Sequence, residues 1–172
     1  MKRVIRKSVF ETNSSSVHAI AISREENYSL PKMVYFRFGR YGWEKEIYSD
    51  KTSKASYLWT GICSLYDCDK ANEAKAWITS VLNKYNILCE FEVWKETFEW
   101  KGKAVPDIDG YIDHSDGLCD FMHDILNDEN MLLSFLFSDD SFVETGNDNT
   151  YDYPDDYFQV NSDKYDVYTK TN

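Results

Sequence analysis

The spacing of the apolar residues changes along this chain between a period of two and a period of three to four, and this limits the folds it can form. Residues 69–86 carry the strongest helical pattern, a single apolar stripe of Ala74, Trp77, Ile78, Val81, Leu82 and Tyr85. Asp69 is predicted as its N-cap, and Glu73 lies in the first turn, where a carboxylate interacts favourably with the helix dipole. A second helix is predicted over residues 53–67, with Ser53 as its N-cap.

A third, shorter helix is predicted inside residues 111–128. Its apolar residues recur at helical spacing and are Leu118, Phe121, Met122, Ile125 and Leu126. Asp113 or Ser115 is expected to cap this helix, because short oxygen-bearing side chains accept hydrogen bonds from the first free backbone N–H groups.

Strand patterns lie on both sides of the helices. Residues 2–11 and 17–23 are predicted as two strands joined by a turn at residues 12–16, with the sequence TNSSS, which makes an antiparallel hairpin. Residues 17–23 have apolar side chains on both faces, which indicates a buried strand. Residues 33–49 predict a second hairpin, with two glycines bracketing its turn.

The second half of the chain has further strand and turn signals. Strands are predicted at residues 87–100, 131–138, 157–160 and 164–169. The second of these is a short apolar run expected to be buried, and the last two are expected at sheet edges. A loop is predicted over residues 101–110, with turns at Gly146-Asn147 and at Pro154.

The helices are grouped rather than alternating with strands, which predicts an α+β fold. A length of 172 residues fits one domain with a real core, so we expect residues 1–172 to form a single domain. We predict a mainly antiparallel sheet with about three helices packed on it. The chain has 13 Tyr, 10 Phe and 5 Trp, which together make 28 aromatic residues. This aromatic content suits such a strand-rich core or an adhesive surface.

The composition also predicts where the protein is found. The chain has no apolar run approaching the roughly 18 residues of a membrane span, and its basic opening has no apolar segment typical of a signal peptide. The four cysteines, Cys63, Cys68, Cys89 and Cys119, form no CxxC pair. We therefore expect a cytoplasmic protein without a membrane partner, its thiols reduced and partly buried.

The charge is distributed unevenly between the two halves of the chain. Residues 1–105 have a net charge of +4, whereas residues 106–172 have a net charge of −15. This acidic C-terminal half is expected to repel free DNA and to attract basic surfaces, which nucleic-acid-binding proteins provide. The predicted partner-binding residues are Asp139, Asp140, Asp148, Asp152, Asp155 and Asp156. A solvated acidic surface that only aids solubility is the simpler interpretation.

Three polar clusters lie at the ends of predicted elements, where binding and catalytic sites are commonly built. They are Glu11 to His18, the Asp113 to Asp116 segment of YIDHSDG, and the Glu144 to Asn149 segment ETGNDN. Each cluster also has a purely structural interpretation, since Ser-rich loops make turns, Asp and Ser cap helices, and GN favours a turn. A histidine within a strand, such as His18, is more often a half-buried structural residue than a catalytic one.

The first two clusters contain the residue types that a small phosphate-ester enzyme needs. The candidate catalytic residues are Glu11, Asn13, Ser14, His18, Asp113 and His114. Histidine supplies a general base and serine a nucleophile or a donor, while a carboxylate beside an imidazole suits a divalent cation as cofactor. The candidate phosphate-binding residues are Arg6, Ser15 and Ser16. Established motifs such as HExxH, GxSxG and the P-loop do not occur in the sequence.

The opening RKSVFETNSSSVHAI, together with YIDHSDG and TGNDN, resembles a group of proteins from phages and mobile elements of low-GC Gram-positive bacteria. Val17 and Ala19 stand at positions where that pattern varies. Most members of the group are uncharacterised, and some mobile-element proteins of the same hosts inhibit CRISPR nucleases. The resemblance assigns no catalytic residues, but it implies either an inhibitor of host defence or a small enzyme whose polar motif is the active site.

Two functional hypotheses follow, with a protein that has no chemistry as the third. In the first, the acidic half mimics nucleic acid and occupies the basic groove of a CRISPR effector nuclease or its guide-RNA complex, with tyrosines as anchors. In the second, the ETNSSSVH loop and the DHS segment form the site of a small nuclease or phosphodiesterase acting on RNA or a nucleotide. The second requires the two segments to lie together.

Overall fold

A four-stranded antiparallel sheet forms one side of the molecule. The computed structural model describes residues 16–25, 28–147 and 163–170, and all structural statements refer to these. The sheet has the order β10-β1-β9-β4 and contains β1 (Ser16–Ser23), β4 (Glu46–Tyr48), β9 (Phe142–Asn147) and β10 (Tyr165–Lys170). The central strand β1 is buried along all eight residues, so the predicted buried strand at 17–23 is confirmed. Strand β10 lies at the sheet edge, as predicted for residues 164–169.

Three two-stranded ladders accompany this sheet. They are β2 (Met33–Phe36) with β5 (Leu88–Phe91), β3 (Arg40–Tyr41) with β8 (Tyr111–Ile112), and β6 (Glu96–Trp100) with β7 (Lys103–Asp107). The first two ladders are parallel and the third is an antiparallel hairpin.

The described residues form four α-helices and one short 3₁₀ helix. They are α1 (Lys51–Leu65), α2 (Cys68–Lys84), the 3₁₀ helix Ser115–Leu118, α3 (Cys119–Ile125) and α4 (Glu129–Phe137). The predicted α+β class with a mainly antiparallel sheet is confirmed, with one more helix than expected. Among these helices, none has the length and apolar character that a membrane span requires.

Helix α1 is the centre of the core. Residues 54–63 are buried without interruption, although they include the polar residues Lys54, Ser56 and Thr60. The helix touches β2, β8, α2, α3 and α4, so no side of it faces water over this stretch. Its buried polar groups must find protein partners, because burying a polar group without a hydrogen bond is costly.

The predicted hairpin over residues 33–49 is wrong. Strand β2 instead pairs with β5, and the backbone that follows it bonds to side chains rather than to a returning strand. The N–H of Arg37 donates to Ser56 Oγ, that of Phe38 to the Glu92 carboxylate, and that of Gly39 to Thr60 Oγ1. The chain therefore leaves the ladder along α1, which the sequence pattern alone did not indicate.

The apolar run at residues 131–138 forms a helix, not the predicted strand. Asp128 caps α4, since its carboxylate accepts a hydrogen bond from the N–H of Met131 at 3.0 Å. All residues from Leu132 to Phe137 are buried. A fully buried helix shows no polar face, so the periodicity of a short run cannot separate it from a buried strand.

The segment 87–110 also differs from its prediction. The predicted strand 87–100 divides into β5 and β6, and the predicted loop contains β7. Lys101 and Gly102 form the turn between β6 and β7, both with positive φ, at 49° and 78°. Such a two-residue turn matches the twist of a hairpin. Pro106 discouraged a strand assignment, yet proline is tolerated in a strand at a sheet edge.

The predicted ends of several elements need correction. Asp50 and Asp67 cap α1 and α2, rather than Ser53 and Asp69. The predicted helix at 118–126 is confirmed as α3, but no side chain caps it or the 3₁₀ helix before it.

The turn predicted at Gly146-Asn147 is wrong, because both residues belong to β9. The predicted strands 2–11 and 157–160, most of the TNSSS turn and Pro154 lie outside the described residues.

Lys54 is a fully buried cation on α1. Its ammonium donates to the carbonyl oxygens of Ser138 at 2.5 Å and Ser141 at 2.9 Å, where α4 ends and the chain turns towards β9. Burial lowers the pKa of Lys54 to about 8, and the nearby carboxylates of Asp139 and Asp50 oppose this shift. The charged form is therefore less favourable in the folded protein than in the unfolded chain.

We predict that folding stability rises with pH as Lys54 loses its proton. Between the folded pKa of about 8 and the unfolded value near 10.4, the unfolded chain binds more protons, so the free energy of unfolding increases by about 2–3 kcal/mol. Lys54→Met lacks this component, and the exposed variant Lys95→Met retains it. Urea denaturation at pH 7.5, 8.5 and 9.5 measures the difference, and parallel pH profiles for wild type and Lys54→Met would contradict it.

Candidate functional site

The first and third polar clusters meet in the central sheet. Strands β1 and β9 run antiparallel, with Ser16 opposite Asn147, Val17 opposite Gly146, and His18 opposite Thr145. Residues 16–18 and 145–147 are more than 120 residues apart in sequence, yet this register aligns these described parts of the first and third clusters across one ladder.

The second polar cluster reaches the same place through a different ladder. The hydroxyl of Ser16 donates to the carbonyl oxygen of Asp113 at 3.3 Å. The N–H of Asp113 donates to the carbonyl oxygen of Tyr41 at 2.9 Å, which continues the pairing of β3 with β8. We call the region formed by Ser16, His18, Asp113, His114, Thr145 and Gly146 the polar corner.

His18 lies at the buried base of the polar corner and is not accessible to solvent. Its Nε2 lies 3.1 Å from the carbonyl oxygen of Gly42, and its Nδ1 lies 2.9 Å from the hydroxyl of Tyr57. A carbonyl only accepts, so Nε2 carries the proton, and in the neutral ring Nδ1 accepts from Tyr57. In this arrangement neither ring nitrogen is available to a ligand.

Three tyrosines, Tyr41, Tyr48 and Tyr57, form an aromatic cluster that contacts His18 through Tyr57. The ring of Tyr41 packs edge-on against Tyr57 at 4.9 Å and against Tyr48 at 5.1 Å between centroids. Burial raises the pKa of all three phenols, that of Tyr57 well above its ordinary value. The Tyr57 hydroxyl therefore keeps its proton at neutral pH and can donate it to His18. The Thr145 hydroxyl adds a hydrogen bond of 2.6 Å to the carbonyl oxygen of Glu44.

Asp113 and His114 are the solvent-accessible side chains of the polar corner. A carboxylate oxygen of Asp113 lies 3.7 Å from Nε2 of His114, and their side chains are 38% and 53% exposed. His114 has φ of 51° and ψ of 49°, a left-handed conformation that is uncommon for residues other than glycine. Strained backbone of this kind is concentrated at functional sites. The pair presents imidazole nitrogens, which can donate or accept a hydrogen bond, beside a carboxylate that only accepts when it is ionised.

The structure brings together part of the predicted enzyme site. Ser16, His18, Asp113 and His114 share the polar corner, so the described end of the first segment, residues 16–18, adjoins the second segment. Ser16 is buried and uses its hydroxyl on Asp113, so this serine serves as a structural link rather than as an exposed donor. The other candidates, Arg6, Glu11, Asn13, Ser14 and Ser15, lie outside the described residues. Within the part of the chain that the structure describes, no group of three His, Cys, Asp or Glu side chains could hold a metal ion.

Sequence reasoning did not find the residues that hold His18. Tyr57 and the carbonyl of Gly42 have no motif around them, and Tyr57 was not among the apolar residues that defined the helical pattern. The feature that pointed to this contact was the position of Tyr57 on the fully buried stretch of α1. A buried phenol needs a hydrogen-bond partner.

The predicted partner-binding acids fall into two groups. Asp139 and Asp140 are exposed, in the turn between α4 and β9, whereas Asp148, Asp152, Asp155 and Asp156 lie outside the described residues. In the described part of the acidic half, carboxylates lie on the 3₁₀ helix, on α3, in this turn, and on β10 with the turn before it. We call this set the acidic edge, and it contains Asp116, Asp120, Asp124, Asp139, Asp140, Asp163 and Asp166.

The four cysteines are free thiols: Cys63 is buried, Cys68 and Cys89 are half-buried, and Cys119 is exposed. Burial raises the pKa of Cys63, which keeps that thiol protonated and unreactive. Cys63 therefore contributes to the packing of the core, and none of the four thiols forms a disulfide.

Comparison of the chain with known protein families, with curated protein sequences and with solved structures finds no significant match.

We predict that Tyr57→Phe destabilises the protein by about 1–3 kcal/mol, because Nδ1 of His18 would remain buried without its donor. The matched control is Tyr35→Phe, which removes a hydroxyl from a tyrosine that is 39% exposed and should change stability little. Thermal and urea denaturation measure both variants. Equal stability of the two variants would show that the hydrogen bond between His18 and Tyr57 does not support the fold.

Proposed function

We propose that this protein inhibits a bacterial nucleic-acid-targeting defence system by placing its acidic C-terminal half in a basic nucleic-acid groove. The partner is a basic protein such as a CRISPR effector nuclease or its guide-RNA complex. The observation that carries the proposal is the acidic edge, a set of folded carboxylates beside which the described residues include Arg24 and Lys164 as basic side chains.

The acidic edge follows one side of the fold. Asp139 and Asp140 directly precede Ser141. The hydroxyl of Ser141 accepts a hydrogen bond from the N–H of Ser23 at the end of β1. Ser23 in turn pairs with Tyr165 at the start of β10. Further along β10, the Tyr168 hydroxyl donates to Asp124 on α3 at 2.8 Å. These contacts place the turn beside the start of β10 and place α3 beside Tyr168 of the same strand.

The spacing of these carboxylates suits a mimic of a nucleic-acid backbone. Asp120 and Asp124 are four residues apart on α3, about 6 Å along the helix axis, and Asp116 precedes them in the 3₁₀ helix. A hydrogen bond from His123, followed by that from Tyr168, lowers the pKa of Asp124 and favours its charged form. A row of anions at this spacing can meet the Lys and Arg side chains that otherwise bind phosphates.

Basic residues compensate only part of this charge. Arg24 bonds to Asp166 at 2.6 Å on the surface, where both side chains remain partly exposed, and Lys164 is the nearby exposed lysine. Exposed ion pairs of this kind contribute little and are screened by salt. The edge therefore stays strongly negative, and its attraction to a basic groove should weaken as the ionic strength rises.

We predict that neutralising the acidic edge weakens binding to the effector. The block variant Asp116→Asn/Asp120→Asn/Asp139→Asn/Asp140→Asn should compete with target DNA about tenfold less well at low salt, since long-range attraction speeds association. Competition is measured on guide-RNA-loaded CRISPR nucleases from low-GC Gram-positive hosts at several salt concentrations.

A matched block with the same charge change tests whether position matters. Glu44→Gln/Glu73→Gln/Glu90→Gln/Glu99→Gln removes four exposed carboxylates from the first 105 residues and should compete like wild type. An equal loss of competition in both block variants would show that the effect depends on net charge and not on the position of the carboxylates. Failure of the wild-type protein to bind or compete with any tested effector would reject the proposal.

The polar corner favours a second candidate function, a small nuclease or phosphodiesterase acting on RNA or a nucleotide. The specific observation is that three polar segments distant in sequence converge there. An exposed carboxylate–imidazole pair borders that convergence. The imidazole of His114 would act as the general base or acid and Asp113 would orient it. The two functions are compatible, since an acidic edge can dock while the polar corner acts on bound RNA.

For this second function, we predict specific shortening of a labelled guide RNA, assayed free and effector-bound, with and without Mg²⁺. His114→Asn should slow it about a hundredfold or more, since asparagine tolerates the left-handed backbone but is no general base. His123→Ala is the matched control, because His123 also adjoins a carboxylate, that of Asp124 at 3.0 Å, outside the polar corner. Intact RNA in all reactions would leave the polar corner without catalytic function.

A further inference from the structure

An open groove separates the β6–β7 hairpin from the junction of α1 and α2. One wall is the hairpin face that carries Phe98, Trp100 and Val105, and the other contains Leu65, Tyr66 and Lys70. The groove encloses about 530 Å³. All its lining residues belong to the basic half of the chain, residues 1–105.

The aromatic side chains of this groove are unusually accessible. Trp100 is 62% exposed and Phe98 is 50% exposed, two residues apart on one face of β6. Large apolar side chains that are exposed at neighbouring positions often mark an interaction surface. Ring faces that are open to solvent can accept a stacked planar group.

Lysines surround these rings. Nζ of Lys70 lies 5.8 Å from the centroid of Tyr66, and Nζ of Lys101 lies 5.8 Å from that of Trp100. Lys103 bonds to Asp67 at 2.5 Å, so the carboxylate that faces the groove is neutralised by a lysine of the opposite wall. Glu96, on the same face of β6, and Asp69, near the start of α2, are the nearby acids that oppose this charge. The residues that line the groove thus combine ring faces with three lysines and one aspartate, a net charge of +2, which Glu96 and Asp69 outside the lining offset.

Lys101 occupies a backbone position where lysine is disfavoured. It is the first residue of the hairpin turn, with φ of 49°, where asparagine or glycine is preferred. The following residue, Gly102, has open space where a side chain would stand. The turn therefore holds the Lys101 cation beside Trp100 at a cost in backbone strain, which suggests that the cation serves a purpose other than stability.

From these contacts we infer that the groove binds a short stretch of single-stranded nucleic acid. Bases stack on Trp100 and Phe98, while Lys70 and Lys101 contact the phosphates. Stacking platforms combined with backbone-tracking cations are how proteins hold single strands without reading sequence. An acidic peptide would use the lysines but would leave the exposed ring faces without planar partners, so the rings favour the nucleic acid. The inference is independent of the proposed inhibitor function.

The test is fluorescence anisotropy with labelled oligo(U) and oligo(dT) of about 12 nucleotides and the full-length protein. The expected result is saturable binding that Trp100→Ala weakens about 5- to 100-fold. Trp43→Ala is the matched control, since Trp43 is a tryptophan 51% exposed outside the groove, and it should bind like wild type. Quenching of tryptophan fluorescence on binding, reduced in Trp100→Ala, would show stacking directly.

The variant Lys101→Asn tests whether the charge of Lys101 contributes to binding while the hairpin turn is kept intact. Asparagine suits the turn, so this variant should be at least as stable as wild type, while its affinity falls and the salt dependence of binding decreases by about one ion. A labelled oligoglutamate peptide of the same length is the alternative probe. The inference is overturned by absence of saturable oligonucleotide binding, by equal affinities of Trp100→Ala and Trp43→Ala, or by tighter binding of oligoglutamate.

Discussion

The fold depends on a helix that is buried on all sides and still carries polar side chains. From α1, Lys54 bonds to the carbonyls after α4, Ser56 and Thr60 receive the backbone N–H groups after β2, and Tyr57 donates to His18 on β1. The indole N–H of Trp59 donates to the carbonyl of Glu92 at 2.9 Å. One helix therefore satisfies buried polar groups of its neighbours, and each bond fixes where the neighbouring element lies.

This arrangement explains why three polar segments meet in one place. Tyr57 anchors β1 through His18, and β1 aligns with β9, which contributes Thr145 and Gly146. The segment that ends at Asp113 joins them through Ser16 and the β3–β8 ladder. Removing the hydrogen bond that Tyr57 donates to His18 would thus disturb the polar corner without changing its exposed residues, Asp113 and His114.

The sequence pattern predicted the elements whose apolar residues keep a clear period, and it failed for one short buried run and for a hairpin with an unusual turn residue. The amphipathic helix α2, the buried strand β1 and the edge strand β10 have alternations that periodicity detects. Helix α4 has no polar face, and the turn of the β6–β7 hairpin places a lysine where glycine or asparagine is expected, so both were missed. For the site, the clusters around His18 and Asp113 were identified, but Tyr57 and the carbonyl of Gly42 were not, since long-range hydrogen bonds leave no local pattern.

Three surfaces with different chemistry now lie on different parts of one fold: the acidic edge, the polar corner and the basic aromatic groove. Hydrogen exchange measured on the protein alone and in complex with a guide-RNA-loaded effector separates their roles most directly. The proposed inhibitor function predicts slower exchange in residues 115–128 and 163–170, with little change in residues 40–45 and 111–114. Protection confined to residues 40–45 and 111–114, or no protection anywhere, would contradict it.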